Sequence, residues 1–136
     1  MTQTRREIIQ AFVPNSPLAG HLGIELTEIG PDRAVLTMPY RPELATIGDV
    51  VHGGAIASLL DTASMAAAWS DDTVPDAVAG GTISMNVDYV SAARGVDLTA
   101  TAVAVRRGRS LCFTEITVAG PDGAVVAKGL AIHRFG

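Results

Sequence analysis

The stretch Val50-Val51-His52-Gly53-Gly54-Ala55-Ile56-Ala57-Ser58-Leu59-Leu60-Asp61-Thr62-Ala63-Ser64-Met65-Ala66-Ala67-Ala68-Trp69 decides how the whole chain is read. Ala and Leu dominate from Ala55 onward and no proline interrupts, so the stretch predicts a helix over about 53–70, the longest in the chain. At about 100° per residue, Ile56, Leu59, Leu60, Ala63 and Ala67 share one face. The opposite face carries Gly54, Ser58, Asp61, Met65 and Ala68. A solvent-facing helix would be rich in charge there, whereas this one offers one serine, one carboxylate and otherwise small or apolar side chains. The pattern predicts a helix covered on both sides, with Asp61 its only ionisable residue.

A buried carboxylate without a partner costs several kcal/mol, so it is paired, protonated or used. The flanking sequence offers Asp61 no near cation. An isolated buried aspartate is commonly structural, bonded to a backbone group or a hydroxyl. The helix entrance argues for more: His52, Gly53 and Gly54 leave free backbone N–H groups at the positive end of the helix dipole, two turns from the acid. Gly53 is the candidate electrophile through its N–H, because a carbonyl gaining negative charge meets aligned donors there and glycine does not obstruct approach. The same two glycines also serve close helix packing. His52 is read as a cap or an orienting group with no proton transfer of its own.

Composition bounds the rest. A chain of 136 residues suits one domain with one core, spanning 1–136. Its apolar fraction is 48% and its aromatic fraction 4%, so much of the apolar content is Ala and Val, as suits a thinly padded helix on a sheet and a subunit that buries more surface against its own copy. The net charge of −4 argues against a nucleic-acid partner. The one cysteine, Cys112, cannot form an intrachain disulfide. No stretch approaches the roughly 20 apolar residues of a membrane span and the polar start leads into no signal-peptide core, so a cytoplasmic protein is expected. His21, His52 and His133 share no metal-ligand spacing, and no metal is expected.

In chain order, Thr4-x-x-Glu7 is a capping box that opens a short helix over about 4–13, ended by Pro14. Pro14-Asn15-Ser16-Pro17 reads as a loop, His21 to Ile29 as a strand, Gly30-Pro31-Asp32 as a turn and Ala34 to Met38 as a second strand. Glu43 to Val51 reads as a loop leading to the long helix. After it come four extended stretches, Gly81 to Tyr89, Asp97 to Val105, Ser110 to Val118 and Ala124 to His133, the last three joined by short turns and so antiparallel. Two strands, a long helix and four strands make an α+β order, in which the sheet must curl around the helix.

The order Gly48-x-x-x-His52-Gly53-Gly54 then Asp61, with His21-Leu22-Gly23-Ile24 and Met38-Pro39-Tyr40-Arg41-Pro42-Glu43 upstream and Ser84-Met85-Asn86-Val87-Asp88-Tyr89-Val90-Ser91-Ala92-Ala93 downstream, resembles the hot-dog-fold acyl-CoA thioesterases. The match is to the phenylacetyl-CoA-type, PaaI-like branch and extends over most of the chain. The resemblance implies a hot-dog fold, an acyl-CoA substrate, no cofactor, and a homodimer or dimer of dimers. It implies that Asp61 acts as nucleophile or general base across a subunit boundary, with Gly53 and Gly54 at the carbonyl and His52 in support. Thr82 aligns with a hydroxyl that helps place the attacking water. Thr46 stands where some relatives carry an amide, a shorter group without an NH2 donor. Arginines at a glycine turn suit phosphates, so Arg106, Arg107 and Arg109 are candidates for the phosphates of coenzyme A. Phe12, Leu18, Met65 and Trp69 are candidates for the pocket floor. The same fold also serves non-catalytic acyl-CoA binders.

Overall fold

The computed structural model describes residues 2–136. Helix α1 (Arg5–Asn15) opens on the expected capping box: Thr4 Oγ1 accepts the Glu7 N–H at 3.2 Å and donates to the Glu7 carboxylate at 3.1 Å. Pro14 does not end it. The proline sits in the last turn, where its missing N–H costs one bond, and the helix closes one residue later. A second helix, α2 (Pro17–Leu22), follows where a loop and the start of a strand were expected. Ser16 ends the first helix and caps the second, Pro17 takes its first position and Gly23, at φ 74°, stops it. Ser-Pro is therefore a helix start here rather than a turn, and His21 lies in α2 rather than in a strand.

Strands β1 (Glu25–Gly30) and β2 (Arg33–Met38) form a hairpin. The expected loop before the long helix holds a 3-10 turn at Pro42–Leu44 and a small ladder of β3 (Ala45–Ile47) and β4 (Val50–Val51). Helix α3 (Gly53–Ala68) comes next. It is followed by β5 (Gly81–Tyr89), β6 (Leu98–Arg107), β7 (Leu111–Ala119) and β8 (Val125–Arg134). Six strands make one antiparallel sheet in the order β1-β2-β6-β7-β8-β5. This is a hot-dog fold, with the curled sheet wrapped around α3.

Ile56, Leu59, Leu60, Ala63 and Ala67 are all buried, as their shared face predicts. They meet Leu36, Met38, Leu98 and Ile116 from the sheet in one core. Truncating Leu59 or Leu60 to alanine costs about 2–5 kcal/mol at such positions. The helix can lie this close because β8 has no side chain at Gly129, where a Cβ would come within 2.8 Å of the Leu60 side chain and 2.7 Å of the Asn86 carbonyl oxygen. The opposite face of α3 is left open by this chain: Gly54 is exposed, and Ser58, Asp61 and Met65 are only partly buried. Strand β5 lies at the sheet edge with Ile83 and Met85 exposed.

Candidate active site

Four backbone N–H groups open any helix without an intrahelical partner. In α3 three of them are satisfied. The His52 N–H donates to the Leu44 carbonyl at 2.7 Å, the Gly54 N–H to Nδ1 of His52 at 2.7 Å and the Ala55 N–H to the His52 carbonyl at 3.0 Å. The Gly53 N–H has no partner among the described residues. The sequence pointed to this amide, and the cap explains why it is the open one. His52 Nδ1 is committed as an acceptor, so the neutral ring carries its proton on Nε2. Gly54 is required by the cap itself, because a Cβ there would lie 3.0 Å from Nδ1 of His52.

Tyr89 completes the entrance, a role that sequence reasoning missed. Its hydroxyl donates to the Gly53 carbonyl at 2.9 Å, and its ring lies 3.3 Å from where a Gly53 Cβ would be. The Gly53–Gly54 peptide is thus held at both ends, its oxygen by Tyr89 and its nitrogen by His52. The available signal was the placement of an aromatic at the end of a strand that runs beside the helix.

Asp61 is partly exposed and accepts a hydrogen bond from the Thr82 hydroxyl at 2.7 Å. A bulge between Thr82 and Ser84 lies beside this contact, at the start of β5. One carboxylate oxygen is thereby fixed, and the other has no hydrogen-bond partner among the described residues. A cavity of about 210 Å³ lies further along α3, lined by Phe12, Met65, Trp69, Val78, Gly81 and His133 among others, with neither Asp61 nor Thr82 in its wall. Three of the four expected floor residues meet there. Leu18 does not; it lines a separate hollow of about 240 Å³ by His52, Gly54 and Ser58. His133, also unanticipated, accepts a hydrogen bond from the Trp69 indole N–H at 2.8 Å on Nε2. Burial pushes its imidazole below the ordinary histidine range, against the opposing pull of the Asp61 charge.

Thr46 is exposed on β3, six residues before His52. The three arginines separate. Arg106 and Arg109 are exposed. Arg107 is not available as the phosphate ligand its cluster suggested: it donates to Asp32 through Nε at 3.0 Å and Nη2 at 2.9 Å, and to the Ala67 and Ala68 carbonyls at 3.2 and 2.6 Å. It closes the C-terminal end of α3, where a cation also meets the negative end of the dipole. The β6–β7 turn carrying these arginines therefore lies at the far end of α3 from Gly53, about 24 Å along a helix of this length.

Residues 48–127, well over half of the chain, match the thioesterase superfamily. The chain belongs to the thioesterase superfamily. As a member it is a thioester hydrolase. Among relatives of this superfamily, it is similar to acyl-coenzyme A thioesterase 13 of Homo sapiens, with 31% identity over 140 residues covering 100% of this chain and 97% of the human one. A thioesterase family protein from Silicibacter pomeroyi has a similar structure, with a TM-score of 0.87 and 25% identity over 97% of this chain and 99% of that one. The E. coli PaaI protein from the phenylacetic acid degradation operon shares the fold, with a TM-score of 0.81 and 24% identity over 93% of this chain and 88% of that one. No helix among the described residues is long and apolar enough to cross a membrane.

Proposed function

We propose that this thioester hydrolase acts on an acyl-CoA, and that its site is completed by a second copy of the chain. The supporting observation is the pairing of two unfinished groups on one uncovered face: the open Gly53 N–H, and an Asp61 carboxylate fixed by Thr82 with one oxygen free. Eight residues separate them, about 12 Å along the helix, too far for one carbonyl group to touch both. A two-fold axis beside residue 57 sets Gly53 of one α3 opposite Asp61 of the other and makes two equal sites. The free edge of β5, with Ile83 and Met85 exposed, is the adjoining surface such a pairing would cover.

In this reading the thioester carbonyl oxygen accepts the Gly53 N–H, and the negative charge that grows on it meets the positive end of α3. Asp61 from the facing subunit attacks the acyl carbon or takes a proton from the attacking water, with Thr82 holding its orientation. The thiolate of CoA leaves and the acyl group departs as the free acid. His52 and Tyr89 keep the Gly53–Gly54 peptide in place. In the antiparallel pair, the closed end of the partner's helix overhangs the open end of the first, since Ala68 lies seven residues, about 10 Å, beyond Asp61. Arg106 and Arg109 from that end are the candidates for the CoA phosphates.

The test is Asp61→Asn. It keeps the size and the Thr82 contact and removes the charge, so the protein folds with its normal melting temperature and loses about 10²–10⁴-fold or more in turnover. Hydrolysis at the parent rate would sink the mechanism. Single turnover in H2¹⁸O identifies one route: ¹⁸O in Asp61 with an unlabelled product acid marks a nucleophilic carboxylate whose anhydride with the acyl group is opened by water at the aspartyl carbon. A thiol-trapping assay across aryl and fatty acyl-CoAs distinguishes the enzyme from a binder, which would saturate without releasing thiol.

A further inference from the structure

Two hollows open on the face of α3 that this chain leaves uncovered. One, of about 240 Å³, is walled by Leu18, Leu22, Leu44, His52, Gly54 and Ser58 among others, beside the open Gly53 amide. The other is the cavity of about 210 Å³ that begins at Met65, with Ile8 and Phe12 of α1 and Val78 in its wall. Each is smaller than the roughly 300–1,000 Å³ of an ordinary ligand pocket. Each also carries large apolar side chains that remain in water: Leu18 is 57% exposed, Val78 52% and Phe12 46%. Grouped at the mouths of two hollows rather than scattered, they mark surface suited to an apolar occupant.

Within one chain the two are separate, because Gly54 and Met65 lie eleven residues, about 17 Å, apart along α3. The antiparallel pairing that sets Gly53 opposite Asp61 removes most of that distance. Met65 stands one turn past Asp61, so in such a pair it comes level with a point about 6 Å outward of the facing Gly53, on the side of that chain's His52. Gly54, Ser58 and Met65 all belong to the face that the pairing covers. The hollow at the start of one helix and the cavity toward the end of the other then open onto the same stretch of seam. Joined, they reach the size of a ligand pocket. The pairing also returns Leu18 to Phe12 and Met65, side chains that read from the sequence as one pocket floor and that a single chain keeps apart.

We propose that the acyl chain lies in this joint pocket, and that Leu18 of one subunit, with the partner subunit's Phe12 and the partner subunit's Val78, sets the length of chain accepted. This rests on the acyl-CoA reading above. The occupant follows from the walls. A carbonyl oxygen on the Gly53 N–H places the first carbons of the acyl group by Gly54 and His52, and the side chains beyond them are mainly hydrocarbon, which binds hydrocarbon by the area removed from water. Each methylene that fills such a pocket is worth about tenfold or more in kcat/KM. Bulk added at either wall therefore penalises long chains more than short ones.

The experiment uses Leu18→Trp and Val78→Trp, both at exposed positions, and follows thiol release from butanoyl-CoA and decanoyl-CoA. Each variant homodimer carries a tryptophan in both of its pockets and loses about tenfold or more in kcat/KM on decanoyl-CoA, with a smaller loss on butanoyl-CoA. The mixed dimer, co-expressed with two affinity tags, holds both tryptophans in one pocket and none in the other, so it regains about half the parent rate on decanoyl-CoA. A mixed dimer no better than the homodimers, or losses equal on the two esters, overturns the proposal. The second measurement needs no turnover. A mixed dimer of Leu18→Cys and Val78→Cys chains cross-links with a short bismaleimide, the native Cys112 being buried, while the homodimers do not. Failure of the mixed dimer to cross-link, or a chain that stays monomeric, overturns the proposal whatever the kinetics. Should parent protein hydrolyse neither ester, the acyl-CoA reading fails, and the cross-linking still judges the joint pocket.

Discussion

The two ends of α3 are finished in opposite ways. At the C-terminal end every device of closure is present: Arg107 forks across the Ala67 and Ala68 carbonyls, the Ser70 hydroxyl donates to the Ala67 carbonyl at 2.7 Å, and the Trp69 side chain is tied to His133. At the N-terminal end the caps stop one short and leave the Gly53 amide open beneath an exposed tyrosine. Both ends present unsatisfied backbone groups by necessity, so the difference lies in the side chains placed there. The closed end serves stability, and the open end is the one proposed to serve a ligand.

That division is easiest to break at Arg107. Replacing it with alanine frees two helix carbonyls, Asp32 and part of the partnership of Asp71, and is expected to cost about 2–3 kcal/mol in chemical denaturation, with kcat/KM of the folded protein unchanged within about twofold. A raised KM for acyl-CoA without a stability loss would return Arg107 to phosphate binding. Gly53→Ala probes the other end. The added methyl crowds the Tyr89 ring at 3.3 Å beside the open amide, so kcat falls about tenfold or more, while stability holds within about 1 kcal/mol because alanine is the better helix former. A protein that loses stability and keeps kcat would show that both ends are structural.

Tyr89→Phe sharpens the contrast with a single oxygen. Losing the hydroxyl loosens the Gly53–Gly54 peptide without touching substrate, and about a three- to tenfold drop in kcat with unchanged KM is expected in steady-state kinetics. The smallest effect concerns the closed end and pH. His133 is held neutral by burial, so its folded pKa lies below the ordinary value of 6.5 while the unfolded chain takes up a proton near it. The unfolded state then binds more protons as pH falls below about 6.5, and stability falls with it; above that range this residue contributes no slope. Denaturant midpoints measured from pH 8 down to pH 5 should show the decline, and His133→Gln should flatten it.

Much of this was legible in the sequence, for identifiable reasons. The strands after α3 follow their alternating patterns almost to the residue, since short turns at Gly108 and Gly123 leave little freedom in how they pair. Although Thr82 was expected to help place a water and its bond to Asp61 was not foreseen, the buried stripe of α3 was legible as well. Helix α2 was not, because Ser16-Pro17 serves equally well as a turn or as a cap followed by a first helical residue, and six residues are too few to show periodicity. The misjudged arginine is instructive: a cluster of like residues suggests a shared purpose, yet Arg107 alone has Asp32 and two helix carbonyls within reach. His133 and Tyr89 were invisible for a similar reason. Their roles depend on atoms 64 and 36 residues away in the chain, and nothing in their immediate neighbourhood records that distance.

Gly129 carries a consequence for how this protein can drift. The missing side chain on β8 lets Leu60 sink against the strand, and Asp61 is the next residue along the same turn. Even a methyl group there would act as a shim under the middle of the helix and prise the carboxylate from Thr82. The spacing between Asp61 and Thr82 is therefore guarded from the floor of the molecule, at a position buried beneath the helix.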